Sequence, residues 1–176
     1  MRTLLFRSLL SAPVTMGAPK PEIADLEEVG AALTARARKL FGRSISIREV
    51  DAGSCNGCEL EINALNNAVY DVERFGIRFV ASPRHADVLL VTGPVTKNMK
   101  VALERTFDAT PAPKWVVAVG DCAAGCGIFQ ASYAVVGSVA DVVPVDLHIK
   151  GCPPRPIDLL RGLIALMDLA TAGKRA

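Results

Sequence analysis

Cys55 and Cys58 form a CxxC pair within Asp51-Ala52-Gly53-Ser54-Cys55-Asn56-Gly57-Cys58, and two more cysteines stand singly in Gly120-Asp121-Cys122-Ala123 and Lys150-Gly151-Cys152-Pro153-Pro154. Each of these loops follows a stretch that reads as a β-strand. Parallel strands of an open α/β sheet deliver their carboxyl ends to one rim, so the loops can bring four thiolates together at a topological switch point. That is the geometry an iron–sulfur cluster needs.

Four thiolates also suit zinc or disulfide chemistry. Structural zinc sites of the ribbon and finger type usually pair two close CxxC or HxxxH elements, whereas here one CxxC is joined by two cysteines far away in sequence, a layout that suits a cubane cluster better. The chain has five cysteines, an odd count, and a reduced cytosolic protein of this size has little use for disulfides. Cys55 and Cys58 alone could be a thioredoxin-like redox pair, a reading that leaves Cys122 and Cys152 without a role. The fifth cysteine, Cys126, lies three intervening residues after Cys122 and reads as a non-ligand near the cluster, with exchange between the two as the alternative. Gly53, Gly57, Gly120, Gly125, Gly127 and Gly151 bracket the cysteines and permit tight turns around a buried group, although glycines are common at βα turns. Pro153 restricts Cys152 toward extended conformations, which limits how that ligand can point.

The elements that must position these loops follow from periodicity. Residues 1–22 read as an arm, with three prolines and a glycine between Ser11 and Pro21. Ile23 to Phe41 has helical apolar spacing at Leu26, Val29, Leu33, Ala37 and Leu40, and Gly42 supplies a stop, so residues 23–43 are expected to hold a peripheral helix. From there to residue 172 strand and helix alternate. Strands are expected at Ser44 to Val50, Ile77 to Ala81, Val88 to Thr92, Trp115 to Val119 and Val142 to Ile149; helices at Glu59 to Arg74, Lys97 to Phe107 and Ile157 to Leu169, the last opened by Pro156. This order predicts one α/β domain with a doubly wound, mainly parallel, flavodoxin-like sheet over residues 44–172, and a tail at residues 173–176.

Composition narrows the function classes. A formal charge of +2 over 176 residues with few aromatics gives no basic stripe that would track nucleic acid. Apolar residues make up 51% of the chain, yet no uninterrupted apolar run reaches the roughly 18 residues of a membrane span. The surplus fits subunit interfaces, or equally a parallel sheet buried on both faces. Arg7 interrupts the apolar stretch at the N-terminus and no paired arginines precede it, so an export leader is not expected; a segment lying against a membrane subunit and a frayed tail both fit.

The combined set Ser54-Cys55-Asn56-Gly57-Cys58-Glu59-Leu60-Glu61, Gly120-Asp121-Cys122 and Gly151-Cys152-Pro153-Pro154-Arg155-Pro156 resembles the family that unites the small subunits of [NiFe] hydrogenases with the 20-kDa cluster subunit of respiratory complex I. The resemblance covers about residues 44–170 and implies one [4Fe-4S] cluster, the proximal cluster of hydrogenases, on Cys55, Cys58, Cys122 and Cys152. The spaced CxxC is similar to hydrogenases, whereas complex I subunits have adjacent cysteines there. Without a twin-arginine leader or a further cluster domain, the chain resembles the membrane-associated, energy-converting hydrogenases. That resemblance implies an electron-relay subunit, inactive alone, peripheral at the cytoplasmic face of the membrane. Its implied partners are a [NiFe] large subunit, a ferredoxin-like iron–sulfur subunit and membrane ion-translocating subunits. The competing reading is the 20-kDa cluster subunit of a complex I type NADH-quinone oxidoreductase, which passes electrons to quinone.

Three further side chains remain open at this point. Glu61 falls where the family has a carboxylate after the second cysteine, and reads either as a relay or as a solvated glutamate. Asp121 can cap a turn by accepting backbone amides. His148, near Cys152, reads as a packing histidine rather than a ligand.

Overall fold

The computed structural model describes residues 23–173. Its centre is a five-stranded parallel sheet made of β1 (Ile45–Asp51), β2 (Ile77–Phe79), β3 (Val88–Thr92), β5 (Trp115–Val119) and β7 (Leu147–Ile149), in the order β2-β1-β3-β5-β7. A two-stranded antiparallel ribbon, β4 (Val95–Thr96) with β6 (Val135–Gly137), stands apart from it. The chain moves outward from β1 to β2 and then crosses back to β3, so β1 and β3 flank the switch point. Counting the main strands alone, this is the doubly wound order of flavodoxin-like sheets, and the expected fold class is borne out.

The strands form because both faces of the sheet are covered. Every residue of β3 is buried, and a run of five apolar or β-branched residues can only satisfy that environment as a central strand. On one face, α1 (Ile23–Phe41) and α5 (Pro156–Thr171) pack together with Ile45, Ile47, Val117 and Val119. Leu26, Leu33 and Ala37 lie on the inward stripe of α1, and Leu160, Leu163 and Met167 on that of α5. The opposite face buries Leu89, Val91, Val116 and Ala118 against Leu103 of α3 (Lys100–Ala109).

Two elements depart most from expectation, while the others match it or shift at their ends by one to three residues. The helix anticipated over Glu59 to Arg74 is realised as α2 (Gly57–Ala64) and a short 3-10 turn, Val72–Phe75. Between them the Asn67 side-chain oxygen accepts hydrogen bonds from the Val69 and Tyr70 amides at 2.8 and 2.9 Å, closing a turn that competes with helix continuation. The strand anticipated over Val142 to Ile149 is paired only at Leu147–Ile149. Upstream, Ser138 and Asp141 form a capping box on the 3-10 turn Val139–Asp141, and Val142 keeps a helical conformation after it. The arm anticipated over residues 1–22 lies outside the described residues.

Candidate functional site

Three loops leave the carboxyl ends of β1, β5 and β7, and each is held by its own local bonds. After β1, the Asp51 carboxylate accepts the Gly53 and Ser54 amides, both at 2.7 Å, and turns the chain into the Cys55 loop. Asn56 then adopts a left-handed conformation at φ 70° and α2 begins at Gly57, which places Cys58 in its first turn. After β5, Gly120 at φ 87° swings directly into the short helix α4 (Asp121–Gly125), with Cys122 as its second residue. After β7, the chain turns at Gly151 and presents Cys152, followed by a cis peptide to Pro153.

The loops are tied to one another. The Asp121 amide donates to the Gly151 carbonyl at 2.9 Å, and the Asp121 carboxylate accepts the Gly151 amide at 3.0 Å. Asp121 therefore fastens the Cys122 loop to the Cys152 loop. His148 hydrogen-bonds at 3.0 Å to the Gly120 carbonyl oxygen, a packing and loop-holding role.

Cys55, Cys58, Cys122 and Cys152 line one cavity of about 110 Å³ with Gly57, Gly93 and Pro153 among its walls. No three ligating side chains among the described residues are gathered tightly enough to hold a single metal ion. The four thiols, brought from three loops, face one space, a donor set that suits a four-thiolate cluster. The walls are cut to the sulfurs: a Cβ on Gly120 would lie 2.6 Å from Cys58 Sγ, and one on Gly127 would lie 2.8 Å from Cys122 Sγ. These residues therefore fit a [4Fe-4S] group held by four thiolates.

The electrostatics agree. Burial pushes the Cys58 thiol up to about 12, followed by the Glu59 carboxylate and then by Cys55, Cys122 and Cys152. Cys122 is also raised, first by burial and then by Cys152 and Cys55. The raised thiols of Cys58 and Cys122 are held protonated until a cation compensates them, so loading a metal group on them would release protons.

Cys126 behaves differently. It is buried, sits at φ 63° just after α4, donates its amide to the Cys122 carbonyl at 2.8 Å, and is absent from the cavity wall. Burial and then Asp141, with no contribution from another cysteine, raise its thiol. Glu61 is half-buried on α2 and also lies off the wall.

Sequence reading passed over two carboxylates. Glu59, directly after Cys58, is 7% exposed, and neither of its oxygens has a hydrogen-bond partner among the described residues. Glu49 on β1 has one buried oxygen in the same condition, and its carboxyl is pushed up to about 7, by burial first and by Glu59 next. The available signal was position, since Glu59 occupies the first turn of the helix that carries Cys58.

Residues 55–166 match the family described as NADH ubiquinone oxidoreductase, 20 Kd subunit. Among curated relatives, the probable membrane-bound hydrogenase subunit mbhJ of Pyrococcus furiosus is 44% identical over 130 residues, covering 74% of this chain and 78% of that protein. Formate hydrogenlyase subunit 7 of Escherichia coli is 42% identical over 162 residues, covering 92% of this chain but only 63% of the relative. Among solved structures, a chain of the membrane-bound sulfane sulfur reductase, an archaeal respiratory membrane complex, superposes with a TM-score of 0.67 at 36% identity, covering 81% of this chain and 77% of that one. Fold, matched residues and the cysteine-lined cavity agree: the chain belongs to the family of the 20-kDa subunit of NADH ubiquinone oxidoreductase, which also takes in subunits of membrane-bound hydrogenases.

Proposed function

We propose that this chain is the electron-relay subunit of a membrane-associated [NiFe] hydrogenase, with one [4Fe-4S] cluster on Cys55, Cys58, Cys122 and Cys152. The observation that carries the reading is the single cavity lined by four thiols from three loops. When bound, such a group takes up and releases one electron at a time. The chain's own residues supply the thiolates and hold the loops through Asp121 and Gly151.

The surface around the cavity supports a redox partner docked there. Leu60 on α2 is 61% exposed, and Ile128 and Tyr133, in the segment after Cys126, are 87% and 89% exposed. Exposed large apolar side chains close in sequence to Cys58 and Cys126 suit burial under a second subunit. In this reading the partner is the [NiFe] large subunit, and a ferredoxin-like subunit and membrane ion-translocating subunits complete the complex. No helix among the described residues is long and apolar enough to cross a membrane. In the proposed complex the chain is a peripheral member at the cytoplasmic face.

The spaced Cys55-Asn56-Gly57-Cys58 motif and the hydrogenase relatives favour this reading. The alternative is a complex I type subunit that passes electrons to quinone, favoured by the family match. The likeness to a chain of a membrane-bound sulfane sulfur reductase favours a third reading, a subunit of a related respiratory membrane complex. Purifying the native complex and measuring nickel, hydrogen-dependent dye reduction and quinone reduction separates the three. Nickel with hydrogen–dye activity that depends on Cys55 supports the hydrogenase; quinone reduction without nickel supports the complex I type.

A further inference from the structure

The end of the sheet opposite the cysteines carries a second constellation. A cleft of about 330 Å³ opens where α1 meets the loop into β1, and Arg38, Arg43 and Arg74 line it with Glu73. A neighbouring cleft of about 310 Å³, at the starts of β1 and β2 and just before β3, is lined by Arg43, Arg78, Arg84 and His85 with Asp87. Arg43 is common to both. Five arginines and a histidine line the two clefts with two carboxylates, and a third carboxylate, Glu27, pairs with Arg74, so positive charge is locally in excess. No lysine lines either cleft.

Part of this array is held in place. Arg43 donates twice to the buried Asp87 carboxylate, at 2.9 and 2.7 Å, and Asp87 is further fixed by the Ser46 amide at 2.9 Å. Arg74 pairs with Glu27 at 3.0 Å and lies over the Phe75 ring. By contrast, Arg38, Arg84 and His85 make no side-chain hydrogen bond or ion pair among the described residues. A fixed guanidinium shared by two clefts, with the unpartnered guanidiniums of Arg38 and Arg84 on either side, is a receiving geometry. Guanidinium forks match phosphate oxygens in shape as well as charge, which a set of lysines would not.

We propose that the two clefts form one site for a phosphate-bearing anion bridging Arg43, with Arg38 and Arg84 as its outer contacts. The seven residues of β1 place it roughly 20 Å from the cysteine rim, so binding there leaves the redox face clear. The phosphate can come from a soluble compound or from an anionic lipid headgroup.

The test uses the full chain carrying its cluster, with inorganic pyrophosphate followed by calorimetry and phosphatidylglycerol-containing vesicles followed by flotation. The variant is Arg38→Gln with Arg84→Gln, two exposed positions whose loss removes no internal bond among the described residues. The control, Lys97→Gln with Arg105→Gln, removes the same charge from exposed positions elsewhere. Binding of either probe that weakens about tenfold or more in the cleft variant and not in the control supports the site. Pyrophosphate binding identifies a soluble phosphate source, and vesicle binding alone identifies a headgroup. Failure of both probes, as an acidic protein occupant would produce, or equal weakening in both variants, overturns the proposal. Neither readout involves hydrogen or electron transfer, so the outcome is independent of the redox assignment.

Discussion

Asp121 and Gly151 exchange two hydrogen bonds, amide to carbonyl at 2.9 Å and amide to carboxylate at 3.0 Å, and this pair locks the loop of Cys122 to the loop of Cys152. The backbone half of the exchange survives any side-chain change, while the carboxylate half does not. Asp121→Ala should therefore lower stability by about 1 kcal/mol and reduce iron retention during anaerobic gel filtration. Asp121→Asn retains an acceptor oxygen and should fall between Asp121→Ala and the parent. Unchanged iron retention in Asp121→Ala would show that the loops are positioned without this link.

The glycine walls make a sharper comparison. Gly120 and Gly127 have φ of 87° and 48°, and a Cβ on either would press on a cysteine sulfur. Gly120→Ala and Gly127→Ala should each cost roughly 1–3 kcal/mol from backbone strain and lose most of the cluster. Gly125→Ala, where a Cβ meets nothing within 4 Å, should be tolerated. Iron analysis of the three proteins side by side checks this, and equal iron in all three would contradict the cavity's assigned occupant.

Replacing Cys55, Cys58, Cys122 or Cys152 singly by serine should lower cluster occupancy, whereas Cys126→Ser should leave most of it. Cys126 is off the cavity wall and its thiol is not raised by any of the other four. Equal cluster loss from Cys126→Ser, measured as iron and sulfide per chain, would reassign the fourth ligand.

Much of the fold and the site is legible in the residues themselves. The amphipathic stripe and Gly42 stop give Ile23–Phe41 as found, and the apolar β-branched runs give Val88–Thr92 and Trp115–Val119 to the residue. The cysteine loops are legible because strand ends of a parallel sheet converge. What escapes such reading has physical causes. The end of α2 depends on the Asn67 side chain, and β7 is short because the Ser138–Asp141 capping box draws the chain into a 3-10 turn. The β4–β6 ribbon is too short to show an alternation. The arginine clefts assemble from Arg38, Arg43, Arg74, Arg78 and Arg84, which no local window unites, and a near-neutral total charge conceals them.

Glu49 sets a pH dependence. Its carboxyl, at 4.5 in an unperturbed chain, is pushed up to about 7 by burial and by Glu59, opposed by Arg48 and reinforced by Asp51. Between those values the native state holds a proton that the unfolded state has released, so this group's contribution to stability is full below pH 4.5 and is lost as the pH rises through about 7. Glu49→Gln should flatten that part of the urea-stability profile and be more stable than the parent at alkaline pH by about 1 kcal/mol, after discounting for partial solvent exposure. A profile identical to that of the parent would remove Glu49 as the source.

The most direct test of the central claim is the metal and sulfide content of the protein purified without oxygen. One cubane on the four cavity thiols predicts about four irons and four acid-labile sulfides per chain, with a paramagnetic signal on reduction. Stoichiometric zinc without sulfide would contradict it.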